Sequence, residues 1–314
     1  MRGISREKPG IYYRSLQKQS VACDLCESLD LSELHRGDRY GMGLRTVHCN
    51  QCGLMFINPR PTPDAMDEFY RNHYRNFYES IEAPTEEYIR SGTFVARAQH
   101  VVGRLGATIP LEVNGSFSLL DIAVAEGSFL REASRAFPNA RFFGLEPNQA
   151  FAEFAQQHTG APVFKGTFEA FLASRRDGSD TRTFDVITFN HVLEHLASPR
   201  HALMEAKKLL TDDGIVYVEV PNAIAGAAMG HLHLAHLFLF CPETLQLLCK
   251  ACGFDIVHTQ TEGLPDKCPS MCVVLKNNSH PRNIAPQLPR AVIDNNVANF
   301  RATLPDASTT RNES

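Results

Sequence analysis

No apolar stretch in this sequence is both long and uninterrupted. The one long candidate, Ala223 to Phe240, carries His231, His233 and His236. A membrane span would have to bury those imidazoles, so a soluble loop or helix is the better expectation. Met1 to Gly10 is polar and charged without an apolar core, which gives no sign of a signal peptide. Neither sign of charge dominates: the formal net charge is −4. That leaves no global attraction to anionic membrane and argues against nucleic acid as a partner. No internal repeat is present. The nine cysteines cannot all pair with one another, and they occur beside no secretion signal. Reduced thiols or metal ligands in a cytoplasmic protein are expected instead of a disulfide framework.

What is there is ordinary globular material: 314 residues, 43% hydrophobic and 21% charged, enough for one full α/β domain and something smaller. Composition divides the chain into four segments. Residues 1–58 hold two Cys pairs and end in Asn58-Pro59-Arg60-Pro61, whose prolines mark a boundary. Residues 59–115 read mainly as an aromatic-rich helical linker or lid, with helix from 64 to about 105. Residues 116–276 alternate short apolar runs with amphipathic stretches, the pattern of βαβ units around a parallel sheet. Strands are expected at Ser118–Val124, Arg141–Leu145, Val163–Lys165, Phe184–Phe189, Gly214–Val220, Phe254–Thr259 and Met271–Lys276. Asp212-Asp213-Gly214 reads as a turn before the fifth. Residues 277–314 are expected to form a mobile tail, with a short helix near Ala291–Phe300.

Cys23-x2-Cys26 and Cys49-x2-Cys52 stand 22 residues apart. Two such knuckles can supply four thiolates to one tetrahedral Zn²⁺. A closed four-thiolate site has no open coordination position, so its expected role is structural. The module would then serve as a substrate lid, a homodimer contact or a nucleic-acid contact.

The segment Leu119 to Leu130 is a strand entering a helix through a loop of small residues, where an open α/β sheet binds its ligand. Small residues let backbone approach a cofactor closely. Glu146 closes the next strand, and a carboxylate there can accept both ribose hydroxyls of a nucleoside. The segment resembles the first motif of class I S-adenosylmethionine (SAM) methyltransferases, an acidic residue followed by G-x-G-x-G. Here Asp121 is the acidic residue, Ala123 and Ala125 replace the first two glycines, and Gly127 remains. An alanine at positive φ would be destabilising by about 1 kcal/mol or more, whereas in helical or β conformation it would cost little. Asn190-His191-Val192-Leu193-Glu194-His195-Leu196 resembles the family's fourth motif. His236 to Leu245, followed by Gly253-Phe254, resembles its "H-x3-F-S-P-x-T-L…GF" block. The Cys-Gly and Asn-Pro-Arg-Pro segments resemble the zinc-containing subgroup, which includes deoxysugar C-methyltransferases. The resemblance implies a Rossmann-like seven-stranded sheet behind a small zinc module. It further implies SAM contacts at Asp121, Ala123, Ala125, Gly127, Glu146, Thr167, Phe168, Asn190 and His191.

Methyl transfer is an in-line displacement with a neutral thioether leaving group. A hydroxyl or acidic C–H nucleophile also needs a base, and histidine is the natural supplier near neutral pH. The resemblance puts His236 first; His191 is second and His195 lies one turn beyond it. His231, His233, His236 and Cys241 fit no common metal-ligand spacing. The expected activity is methylation of a sugar, sugar nucleotide or natural-product intermediate. RNA methylation through the zinc module, and a non-catalytic SAM-fold assembly protein suggested by Ala123 and Ala125, are the alternatives.

Overall fold

A computed structural model of the protein describes residues 9–109, 116–178, 180–226, 228–261, 269–278 and 285–304. Seven strands form the central sheet: β1 Ser118–Ile122, β2 Arg141–Glu146, β3 Val163–Lys165, β4 Phe184–Asn190, β5 Leu210–Pro221, β6 Phe254–Gln260 and β7 Ser270–Asn277. Their spatial order is β3-β2-β1-β4-β5-β7-β6. The first five pair in parallel, and β7 runs antiparallel to both β5 and β6. This is the expected Rossmann-like sheet. Strand order reverses between β1 and β4, which opens a crevice beyond their carboxyl ends.

The central strands are apolar on both faces because both are covered. Leu119, Val186, Tyr217 and Val274 face one core, shared with the helices Phe94–Thr108 and Ser128–Ala136. Their alternates Leu120, Ile187, Val216 and Val218 face a second core, which runs without a break into Leu25, Leu44, Val47 and Phe56 of the cysteine-bearing segment. The turn expected at Asp212-Asp213-Gly214 lies inside β5, where the register against β4 shifts between Leu210 and Ile215. Two acidic residues and a glycine are accommodated there as an irregularity in a longer strand.

The helix expected from 64 to about 105 is four helices: Pro63–Asn72, Tyr74–Glu79, Glu86–Ser91 and Phe94–Thr108. Ser80 at φ 57° ends the second, and Thr85, after Pro84, caps the third by accepting from the Tyr88 N–H. The breaks let Phe69, Tyr70, Tyr74, Phe77 and Tyr78 gather in one aromatic cluster.

The N-terminal strands Leu31–Arg36, Arg45–Cys49 and Met55–Ile57 form an antiparallel sheet whose fourth member is Phe238–Leu239. Within the apolar run 223–240 there is thus a short strand and a 3-10 turn at Ala228–Gly230. Among the described residues no helix is long and apolar enough to cross a membrane. The C-terminal helix spans Arg290–Ala302 and is docked: Ile293, Val297 and Phe300 pack with Leu34, Met55 and Leu239. The rest of the tail expectation falls largely on 279–284 and 305–314, outside the described residues, as do residues 1–8.

Candidate active site at the carboxyl ends of β1 and β4

A cavity of about 610 Å³ lies beyond the ends of β1, β2 and β4, roofed by Tyr70, Tyr74 and Arg75 from the helical segment. The loop after β1 carries Ala123 at φ 61°, Ala125 at φ 51° and Gly127 at φ 85°. Both alanines therefore hold the left-handed conformation, at about 1–2 kcal/mol each. The loop is tied in place by its own N–H groups. Val124 donates to Leu145 O (2.8 Å), Gly127 to Val124 O (2.9 Å) and Ala125 to Glu146 Oε2 (3.1 Å). A Cβ at Gly127 would lie 3.0–3.2 Å from Thr159 and Ala155. Glycine there serves helix packing behind the loop.

Glu146 is buried and also accepts from the Asn148 N–H (3.0 Å), while Arg75 Nη2 stands 3.8 Å from it. Burial raises its pKa, and Arg75 and the two N–H groups work against that rise. Arg75 lies 4.0 Å over the Phe151 ring and pairs with Glu79 at 2.6 Å. Burial opposes its charge, but Glu146 and Glu79 more than offset that and hold it protonated. Asp121 accepts from Thr188 Oγ1 (2.6 Å) and Asn190 Nδ2 (3.3 Å). Its burial nevertheless pushes its pKa up to about 7.

Five histidines gather at the β4 side. His191, at φ 53°, places Nδ1 3.7 Å from Glu194 and Nε2 3.7 Å from Glu219. Burial opposes its protonation, yet the two carboxylates raise its pKa to about 9. Glu219, fully buried, accepts from Ser270 Oγ (2.9 Å) and pairs with Arg104 (3.2 Å). Burial would raise it, but its partners hold it down to about 2. His195 lies on the cavity wall with Nδ1 3.0 Å from Tyr70 OH, and burial lowers its pKa. His236 is not on the wall. It packs behind His195 and against His233, and burial keeps it neutral, reinforced by the neighbouring histidines.

Of the residues expected at the cofactor, Asp121, Ala123, Ala125, Glu146, Thr167, Phe168, Asn190 and His191 line the cavity; Gly127 does not. The Thr167 hydroxyl caps the helix Phe168–Ser174 by accepting from the Ala170 N–H (3.2 Å). Asn190 Oδ1 and Ser128 Oγ, both on the wall, have no protein partner. A cavity with backbone drawn close, apolar walls and unmet polar atoms fits a nucleoside-bearing cofactor. Arg75, Tyr70 and Glu219 escaped the sequence reading. Glu219 had a signal, a lone carboxylate in an apolar strand; Arg75 and Tyr70 had none beyond aromatic richness.

At the N-terminal sheet the thiols of Cys23, Cys26, Cys49 and Cys52 converge, with sulfur pairs Cys23–Cys52 and Cys26–Cys49 each 3.4 Å apart. That is far beyond a disulfide bond and close to the edge of about 3.8 Å implied by a tetrahedral site with Zn–S near 2.3 Å.

A sequence family described as a methyltransferase domain matches residues 86–259, over half of the chain. A ubiquinone biosynthesis O-methyltransferase of Glaesserella parasuis serovar 5 is 39% identical over 123 residues, 38% of this chain and 52% of that protein. The chain thus spans about half the length of that curated relative. Among solved structures, the plantazolicin methyltransferase BpumL in complex with SAH is 14% identical, with a TM-score of 0.49 over 68% of this chain and 94% of that one. Magnesium protoporphyrin IX methyltransferase of Synechocystis PCC 6803, with bound SAH, is 14% identical with a TM-score of 0.48, covering 68% and 98%. The chain belongs to the methyltransferase-domain family.

Proposed function

We propose that the protein methylates a small-molecule acceptor, a sugar or natural-product intermediate before a sugar nucleotide or RNA. The observation that carries this is the cavity: about 610 Å³, roofed by aromatic residues and lined by Asp64, Asp67, Glu79, Glu126 and Glu169. Such a volume suits a cofactor with a compact partner. The charged groups on these largely apolar walls include more carboxylates than guanidinium groups (Arg75 and Arg97), which disfavours a polyanionic acceptor. The name of the curated relative supports oxygen as the methylated atom.

SAM would be held by Asp121, the Ala123–Gly127 loop, Glu146, Thr167, Phe168 and Asn190, and it supplies the electrophilic methyl group. The chain's contribution is to hold acceptor, methyl carbon and sulfur in line, which can lower the barrier by roughly 7–11 kcal/mol. His191, protonated at neutral pH, would donate to an acceptor oxygen instead of removing its proton. His236, behind His195, would act as a positioning residue. Zn²⁺ bound by Cys23, Cys26, Cys49 and Cys52 would hold the N-terminal sheet together.

Calorimetric titration with SAM and S-adenosylhomocysteine comes first, because a non-catalytic assembly protein would bind neither. Labelled-methyl transfer is then measured across a panel of hydroxylated sugars, sugar nucleotides, phenolic intermediates and RNA. Turnover on RNA alone, with salt-dependent affinity, would overturn the small-molecule reading. Near-stoichiometric zinc in protein purified without added metal tests the thiolate site, and its absence with four freely reactive thiols refutes it.

A further inference from the structure

We propose that Glu194, His195 and His236 bind a divalent transition-metal ion at the wall of the cavity, separate from the four-thiol cluster. Glu194 lies in the short 3-10 turn Leu193–His195 that follows β4 and is 1% exposed. Neither of its carboxylate oxygens has a hydrogen-bond partner. A buried carboxylate is ordinarily paired, hydrogen-bonded or bound to metal.

Its surroundings are imidazoles that stop short of hydrogen bonding. His195 Nε2 is 3.8 Å from Glu194 Oε1, and His236 Nε2 is 4.0 Å from the same oxygen. Tyr70 decides which face of His195 they meet. When its hydroxyl donates to Ala235 O (3.3 Å), the contact with His195 Nδ1 (3.0 Å) is donated by the imidazole. With Nδ1 carrying the proton, Nε2 of the neutral ring turns a lone pair toward the carboxylate. Two acceptors then face one another with no proton between them. The neighbouring His191 imidazolium, 3.7 Å from Glu194, makes no hydrogen bond to it, so both carboxylate oxygens stay open to a metal ion.

One ligand atom from each of the three residues lies within 4.8 Å of the others. With bonds near 2.0–2.1 Å, tetrahedral ligands sit about 3.3 Å apart, so side-chain shifts of about an ångström complete the site. The Tyr70–His195 bond is the outer contact that orients a metal-bound imidazole. Two imidazoles and a carboxylate suit zinc, cobalt, iron or manganese, and three protein ligands leave a position for water or an acceptor oxygen. His195 lies on the cavity wall, which supplies the entry path. Such an ion would polarise the acceptor oxygen. That role alone rests on the proposed acceptor class; ion binding does not.

The test is an ion count on the full-length protein. Wild type, Glu194→Gln and His236→Gln are each equilibrated with Zn²⁺, freed of excess by gel filtration and analysed for zinc per chain. Wild type should carry one ion more than either variant. Co²⁺-loaded protein should show a thiolate charge-transfer band that both variants retain. Thermal unfolding and S-adenosylhomocysteine titration identify a variant that has failed to fold, and the other then carries the comparison. Equal counts in wild type and a folded variant overturn the proposal. A negative acceptor screen leaves the ion count untouched, so the two readings fail separately.

Discussion

Asp24, inside the first cysteine knuckle, accepts from Ser198 Oγ (2.6 Å) and from the backbone N–H of Arg200 (2.9 Å). Ser198 is the N-cap of the helix Pro199–Lys208, and Ala197, Ser198 and His201 line the cavity. Asp24 thus ties the thiol cluster to the wall of the cavity.

Asp24→Ala leaves the Arg200 N–H without its acceptor and should destabilise the protein by about 1–2 kcal/mol, the usual range for a lost cap. Urea unfolding measures this. Affinity for S-adenosylhomocysteine should fall as well, because the cavity wall loses its tether. An unchanged midpoint would mean that water replaces Asp24 without loss.

Ala123→Gly and Ala125→Gly remove a Cβ from left-handed backbone. Each should stabilise the folded chain by about 1 kcal/mol, the left-handed penalty less glycine's extra unfolded-state entropy. Cofactor affinity should hold or improve. A destabilised Ala123→Gly would show that the methyl's packing outweighs the relief, and paired thermal scans with calorimetry separate the two effects.

Glu146→Ala removes the acceptor for the Ala125 N–H and the more distant of the two carboxylates beside Arg75. Each hydrogen bond to a charged group is worth roughly 1.5–3 kcal/mol, so SAM affinity should fall at least tenfold. Titration of wild type and variant checks this directly. Equal affinities would detach Glu146 from cofactor binding.

Asp121 gives a pH signature. Its carboxyl rises from 3.8 to about 7 on folding, so the folded chain holds the proton more tightly. Its contribution to stability is complete below pH 3.8 and is lost as pH rises through 7. In Asp121→Asn that contribution is absent. The stability of wild type relative to the variant should therefore decline from pH 4 to 7 and level off above it. Denaturant titrations at half-unit steps measure the difference; a flat one would place Asp121 in contact with water.

The sheet was legible because its signals are local. Apolar runs of the right length fixed β1 to β7 to within a few residues. The loop after β1 was legible as a position but not as a conformation, since alanine's identity does not reveal its φ. The roof of the cavity was hidden for another reason. Arg75 meets Glu146 and Tyr70 meets His195 across 71 and 125 positions, and no local pattern announces such a contact. His236 was found by motif, yet motif could not say that His195 stands between it and the cavity.

The strand Phe238–Leu239 completes a sheet begun at Leu31. Phe56 and its partner Phe238 are 182 positions apart. During synthesis the strands within Leu31–Ile57 leave the ribosome with an open edge, and that edge stays unpaired until Phe238 and Leu239 have emerged. Closing so long a loop comes late in folding. Residues 238–239 are thus the clasp that closes this edge.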